Sequence, residues 1–110
     1  MKQYVIDELR PADYQKIKTY LDENYGPTAI DGIYWIALPV DHYGAKQAKH
    51  RGCQPFYFAI DLEQSMINCE FLIRTRNRVR CECICYATEK QRNWLIEFID
   101  HMFEKLEVTT

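Results

Sequence analysis

The stretch Phe56-Tyr57-Phe58-Ala59-Ile60-Asp61-Leu62, followed past Glu63-Gln64-Ser65-Met66 by Ile67-Asn68-Cys69-Glu70-Phe71-Leu72-Ile73, alternates apolar side chains and decides the fold. Side chains of a strand point to opposite faces in turn, so Phe56, Phe58, Ile60 and Leu62 share one side, as do Ile67, Cys69, Phe71 and Ile73. A two-residue turn at Gln64-Ser65 pairs Glu63 with Met66, and therefore Leu62 with Ile67 and Ile60 with Cys69. The two apolar faces then coincide, whereas a slip of one residue would turn one of them to water. A third alternating run, Arg80-Cys81-Glu82-Cys83-Ile84-Cys85-Tyr86, completes a meander. A three-residue loop at Arg76-Asn77-Arg78 would pair Ile73 with Cys81, Phe71 with Cys83 and Cys69 with Cys85, which predicts four sulfurs on the core face.

Outward from the meander, Arg10 to Asn24 reads as an amphipathic helix, with Pro11 in its first turn, Tyr14, Ile17, Leu21 and Tyr25 at helical spacing, and Gly26-Pro27 as a stop. Before it, Tyr4 to Ile6 forms a short edge strand. Ile33 to Leu38 is apolar throughout and bounded by Gly32 and Pro39, which predicts a strand covered on both faces, central in the sheet or closed by a partner. Between Asp41 and Arg51 a short, exposed helix is expected, interrupted by Gly44. Thr88-Glu89-Lys90-Gln91 is a capping box, and it opens a helix carrying Trp94, Leu95, Ile96, Phe98, Ile99, Met102, Phe103 and Leu106. Those side chains sweep roughly 200° of the helical wheel, so this helix should touch the sheet and a second body, either the first helix or another subunit.

The expected class is α+β: an antiparallel sheet of four to five strands with a C-terminal three-stranded meander, packed by N-terminal and C-terminal helices and a short middle helix. At 110 residues the chain fits one domain spanning 1–110, large enough to bury a core without disulfides or metal. The longest apolar run is too short to cross a bilayer. The opening Met1-Lys2-Gln3-Tyr4-Val5-Ile6-Asp7-Glu8 contains no signal-peptide core, so a cytoplasmic, reducing setting is expected. A net charge of −2 provides no field to draw a long polyanion, which argues against nucleic acid as the main partner.

Cys53, Cys69, Cys81, Cys83 and Cys85 offer soft ligands for zinc or an iron–sulfur cluster, or thiols for reversible oxidation. Their spacing suits packing better. Cys-x-Cys on a strand holds its Cβ atoms about 7 Å apart, whereas metal motifs converge two sulfurs on a tight turn. Phe58, Ile60, Phe71 and Ile73 around them also make an apolar setting that keeps a thiol protonated, and no resident cofactor is expected. Arg74, Arg76, Arg78 and Arg80 recur at every second position, and guanidinium forks suit a small anion or a short RNA segment. A solvated outer sheet face, with Glu70 and Glu82 as cross-strand partners, explains the same pattern.

His42, His50 and His101 have no carboxylate fixed beside them, and His50 with Cys53 makes two groups rather than a site. Glycine-rich phosphate loops, Gly-x-Ser-x-Gly and His-Glu-x-x-His are absent. Glu8-Leu9-Arg10-Pro11-Ala12-Asp13-Tyr14 resembles the strand-to-helix opening of acetyltransferases of the GNAT superfamily. No segment matches that superfamily's Gln/Arg-x-x-Gly-x-Gly/Ala pyrophosphate loop, so neither its activity nor its residues carry over. The broad apolar arc of the last helix and the unbroken Ile33 to Leu38 run point to a non-catalytic interaction or regulatory module that pairs as a homodimer, with Trp35, Trp94, Ile96 and Phe103 as interface candidates.

Overall fold

The computed structural model describes residues 2–26, 28, 30–75 and 84–108. Among these residues six strands and three α-helices follow one another as β1 (Gln3–Ile6), α1 (Pro11–Tyr25), β2 (Ile33–Ala37), α2 (Ala45–Lys49), β3 (Phe56–Leu62), β4 (Ile67–Glu70), β5 (Leu72–Thr75), β6 (Cys85–Tyr86) and α3 (Glu89–Lys105). The α+β class stands, and counting the bent β4–β5 run as one strand gives a five-stranded antiparallel sheet.

The first hairpin forms as its pattern dictates. Glu63 N–H donates to the Met66 carbonyl at 2.8 Å, and Leu62 pairs with Ile67 and Ile60 with Cys69. Strand β3 is the spine, flanked by β2 on one side and by β4 and β5 on the other. Between β4 and β5 the pairing shifts: the three-residue step from Ile60 back to Tyr57 is matched by a five-residue step from Cys69 to Arg74. Two extra residues bend the strand yet preserve its alternation, so Ile67, Cys69, Phe71, Ile73 and Thr75 are all buried. The bend also changes neighbours. Phe71 N–H donates to Lys2 O at 3.0 Å on the β1 side, and Phe71 O accepts from Ala87 N–H at 2.8 Å on the β6 side.

The second hairpin departs from its expected register. Ile73 pairs with Cys85 and Leu72 with Tyr86, four residues further along than the short loop implied. Cys69 therefore does not face Cys85; its partners are Tyr4 on β1 and Ile60 on β3. A shift of four preserves which face each residue takes, so the hydrophobic pattern could not distinguish the two registers. The pairs proposed for Cys81 and Cys83, and the loop arginines, lie outside the described residues.

Strand β2 is not central in the sheet, one of the two placements its apolar run allowed. It pairs with β3 alone among the described residues, and it alternates: Tyr34 and Ile36 are buried, Ile33 and Trp35 are half-buried, and Ala37 is exposed. The cause is that its second face is not covered by a helix. Helix α1 turns Ile17 and Leu21, both at 0 % exposure, onto the inner face, and α3 adds Leu95, Ile99, Met102 and Phe103. Burying side chains of this kind stabilises the fold by about 1.5–3 kcal/mol each before entropy is subtracted.

Local signals fix the helix ends. A Cβ on Gly26 would come within 2.7 Å of the Asp22 carbonyl, so the chain can close α1 tightly only with glycine there. For α3, Thr88 Oγ1 accepts from Gln91 N–H at 3.3 Å while Gln91 Oε1 accepts from Thr88 N–H at 3.0 Å, the reciprocal cap read from the sequence. The second body that α3 touches is α1: the Phe98 ring meets Tyr25 edge-on at 6.1 Å, and the Lys105 ammonium lies over Tyr20 at 5.3 Å.

Candidate functional site

Polar groups on the helical side of the sheet act as welds between elements. Tyr34 crosses from β2 to α1 and donates to Asp22 Oδ1 at 2.5 Å, while Lys18 bridges Asp22 at 3.2 Å and Asp31 at 3.3 Å. Burial, followed by that hydrogen bond, pushes the Tyr34 hydroxyl up to about 12. Asp22 is held below the usual carboxylate range by the Tyr34 hydrogen bond first and Lys18 second, and Lys18 is raised chiefly by its bond to Asp22. Tyr4 donates to Asp100 Oδ1 at 2.7 Å, tying β1 to α3, and burial together with that bond pushes it up to about 12. At the entrance to α1, Asp13 is 2 % exposed and accepts from Arg10 Nε at 2.9 Å.

A third weld joins the middle segment to α3. Gln47, expected on an exposed helix, is buried; its Oε1 accepts from Gly44 N–H at 2.8 Å and from Gln91 Nε2 at 2.9 Å. Gln91 Nε2 also donates to the His42 carbonyl at 2.8 Å. The middle helix is thereby anchored through the Gln47 side-chain carbonyl oxygen, while the Gln47 Nε2 group stays buried without a hydrogen-bond partner among the described residues.

The opposite face of the sheet is different in kind. Trp35 meets Tyr57 edge-to-face at 6.0 Å, with Ala59, the cross-strand partner of Trp35, between the flanking strands. Ile33 and Leu72 add half-buried apolar surface, and Val5 is 39 % exposed. Beside this patch Arg74 reaches back across the bend and donates to Glu70 Oε2 from Nε at 3.2 Å and from Nη2 at 3.0 Å. This is a flat, half-apolar surface with its main ion pair already closed.

The candidate residues fall into three groups. Cys69 is fully buried, and burial, aided by the nearby Asp100 charge, pushes its thiol up to about 12. Cys53 is buried too, its carbonyl accepting from the Thr75 hydroxyl, while Cys85 is exposed on a two-residue strand. Among the described residues no three His, Cys, Asp or Glu side chains stand where they could hold a metal ion, and Cys53, Cys69 and Cys85 form no disulfide with one another. Of the arginines, Arg74 is tied to Glu70, and Arg76, Arg78 and Arg80 lie outside the described residues. Of the apolar candidates, Phe103 is 6 % exposed within the core, and Trp94 stacks between Phe58 at 6.1 Å and Phe98 at 5.5 Å. Ile96 packs at the margin of that core, and Trp35 alone of the four stands on the helix-free face.

Sequence reasoning missed two further features. Tyr57 and Ala59 belong to the Trp35 patch, and period-two alternation from buried Phe58 would have placed them there. The outer side of α1, with Lys105 at the end of α3 and Leu106 and Glu107 just beyond it, walls a groove of about 700 Å³. Its signal was Lys16 and Glu23, opposite charges with no complementary residue three or four positions away in their own helix that is not already engaged.

No protein-family model matches the chain, and no curated protein or solved structure matches it either. No helix among the described residues is long and apolar enough to cross a membrane.

Proposed function

We propose that this chain is a non-catalytic protein-interaction module, one domain in extent, that works as a pair of identical copies. The observation carrying this reading is the asymmetry of the sheet: α1 and α3 both pack on one face, and the other presents Trp35, Tyr57, Ile33 and Leu72 half-exposed. Aromatic side chains on a rigid sheet supply contact area at low entropic cost, which suits them to a protein partner.

The chemistry of the buried groups supports the same view. Tyr4, Tyr34 and Cys69 are pushed upward, away from neutral pH, and each serves to join or fill elements rather than to border a common cleft. A poised acid or base has its ionisation moved toward the working pH instead. Arg74, the described member of the arginine series, spends two of its N–H donors on Glu70, so its charge already has a partner within the chain. Sedimentation across a concentration series tests the pairing: the expected result is reversible dimer formation by tens of micromolar, and a strict monomer there contradicts it.

A further inference from the structure

The reading above leaves open where two copies meet, and the margins of the sheet differ in how they are finished. Three strands lie there: β1, β6 and β2, the last pairing with β3 alone among the described residues. Lys2, Asp7 and Glu8 flank β1, and β6 is two residues long. Charge and shortness both guard a strand edge against pairing with another chain. Strand β2 has neither guard: it runs for five residues, and no charged side chain stands between Ile33 and Val40.

The ladder to β3 fixes which backbone groups this margin presents. Gly32 O accepts from Leu62 N–H at 2.8 Å and Leu38 N–H donates to Phe56 O at 2.9 Å, so Gly32, Tyr34, Ile36 and Leu38 turn their peptide groups toward β3. Those of Ile33, Trp35 and Ala37 point the other way. The Ile33 N–H turns back to Ile30 O at 3.1 Å, which leaves the Ile33 carbonyl and the Ala37 N–H facing outward. The two most exposed large apolar residues among those described bracket the same strand: Ile30, 66 % exposed, precedes it and Val40, 72 % exposed, follows it. Both sit on hydrogen-bonded turns, since Ile30 O also accepts from Thr28 Oγ1 at 2.9 Å and Val40 O accepts from Tyr43 N–H at 3.1 Å. Each stands five residues from Trp35.

We infer that β2 pairs with β2 of a second copy, antiparallel, about a two-fold axis at Trp35, so that one sheet runs through both chains. A ladder forms only between residues whose peptide groups face outward, and of the registers this allows, the one centred on Trp35 uses the whole strand. It sets the Ala37 N–H against the Ile33 carbonyl of the second copy and, by symmetry, makes that bond twice. The same operation lays Ile30 beside Val40 of the second copy at both ends, so the equal spacing of the two from Trp35 closes both exposed apolar residues at once. Of the acids beside this contact, Asp31 is closed by Lys18 at 3.3 Å, and Asp41 is offset from Asp31 by two residues in this register. Because the axis is normal to the sheet, the helix-free faces of the two copies join, and the two Trp35 side chains lie next to each other at the seam, each still edge-on to its own Tyr57. This inference rests on the self-association proposed above and names its surface.

The test is a paired substitution read by sedimentation equilibrium on the full chain. Both positions are exposed, so Val40→Glu and the combined Ile30→Lys, Val40→Glu chain should keep the wild-type circular dichroism and melting temperature. Val40→Glu alone sets a carboxylate against Ile30 and near Asp31 of the second copy, twice, and should raise the dissociation constant by roughly tenfold or more. Adding Ile30→Lys turns each contact into an ion pair and should recover most of that loss. Within one chain β2 separates the two positions by about 16 Å, so the recovery can arise only between copies. Ala37→Pro removes an N–H that β3 does not use and should abolish pairing in a folded chain; if it lowers the melting temperature, the charge variants decide alone. A dimer indifferent to Val40→Glu, a combined variant as weak as Val40→Glu, or a folded Ala37→Pro protein that pairs like the wild type overturns the inference while self-association stands on another surface. A strictly monomeric wild type overturns both.

Discussion

The two faces of the sheet are built from the same strands and serve opposite ends. On the inner face Tyr34, Phe58, Ile60, Cys69 and Ile73 are at 0 % exposure, and the Tyr34 hydroxyl is tied to α1 through Asp22. One residue along each strand, Trp35, Tyr57, Asp61 and Arg74 point the other way and keep contact with water. Alternation therefore divides the molecule into a side that holds the fold and a side that offers surface. Of the sulfurs that parity assigns to the core face, Cys69 is buried there, whereas Cys85 is exposed although it pairs with buried Ile73, because its strand is two residues long and at the sheet's edge.

The comparison breaks most visibly at the core. Phe58→Ala removes a ring that stacks on Trp94 and should cost about 3–5 kcal/mol, read as a fall in the denaturant midpoint. Ile60→Ala at the crossing of β2, β3 and β4 should cost about 2–5 kcal/mol by the same measurement. A loss under 1 kcal/mol at either site would mean that the inner face is not the core.

Ionisation sharpens the contrast at both ends of the pH scale. Tyr4, Tyr34 and Cys69 are raised in the fold, so their contribution is complete below their unfolded values, 10.0 for the tyrosines and 9.0 for the thiol, and is lost as pH climbs toward about 12. Alkaline melting should therefore begin above pH 9, and Tyr34→Phe should flatten it. Asp22 is lowered, so its contribution is present above 3.8 and disappears as pH falls through its folded value. Acid melting curves of Asp22→Asn should lose that segment of the profile.

Thiol labelling separates the sulfurs without any substitution. Under native conditions Cys85 should react with a maleimide before Cys53 and Cys69, and Cys69 only as fast as the protein opens, because a buried, protonated thiol is a poor nucleophile. Mass mapping of the labelled peptides gives the order, and early labelling of Cys69 would contradict its placement.

Legibility followed sequence distance. The β3–β4 hairpin could be read because its turn is two residues long and a slip of one would expose Ile67 and Cys69. Both helices with their caps could also be read, since Pro11, Gly26 and the Thr88–Gln91 box act within a few residues. The β5–β6 register could not, because a shift of four keeps parity, and because the extra residues near Phe71 bend the strand without disturbing its alternation. Tyr34 to Asp22 and Gln47 to Gln91 could not either: only the packed sheet brings these side chains together. Part of the candidate surface was half-legible. Trp35 was singled out for its size, but its neighbours Tyr57 and Ala59 needed the β2–β3 register, and the α1 groove needed the position of Leu106.

The smallest expected effect is on the outer face, and it bears most directly on the division of labour between the two sides. Trp35→Ala forfeits an edge-to-face contact worth about 0.5–1.5 kcal/mol and little core. Sedimentation equilibrium of this variant beside the wild type is the deciding measurement. The account predicts a wild type that pairs by tens of micromolar and a Trp35→Ala protein that pairs more weakly; a Trp35→Ala protein that pairs as tightly as the wild type, or a wild type that never pairs, would contradict it.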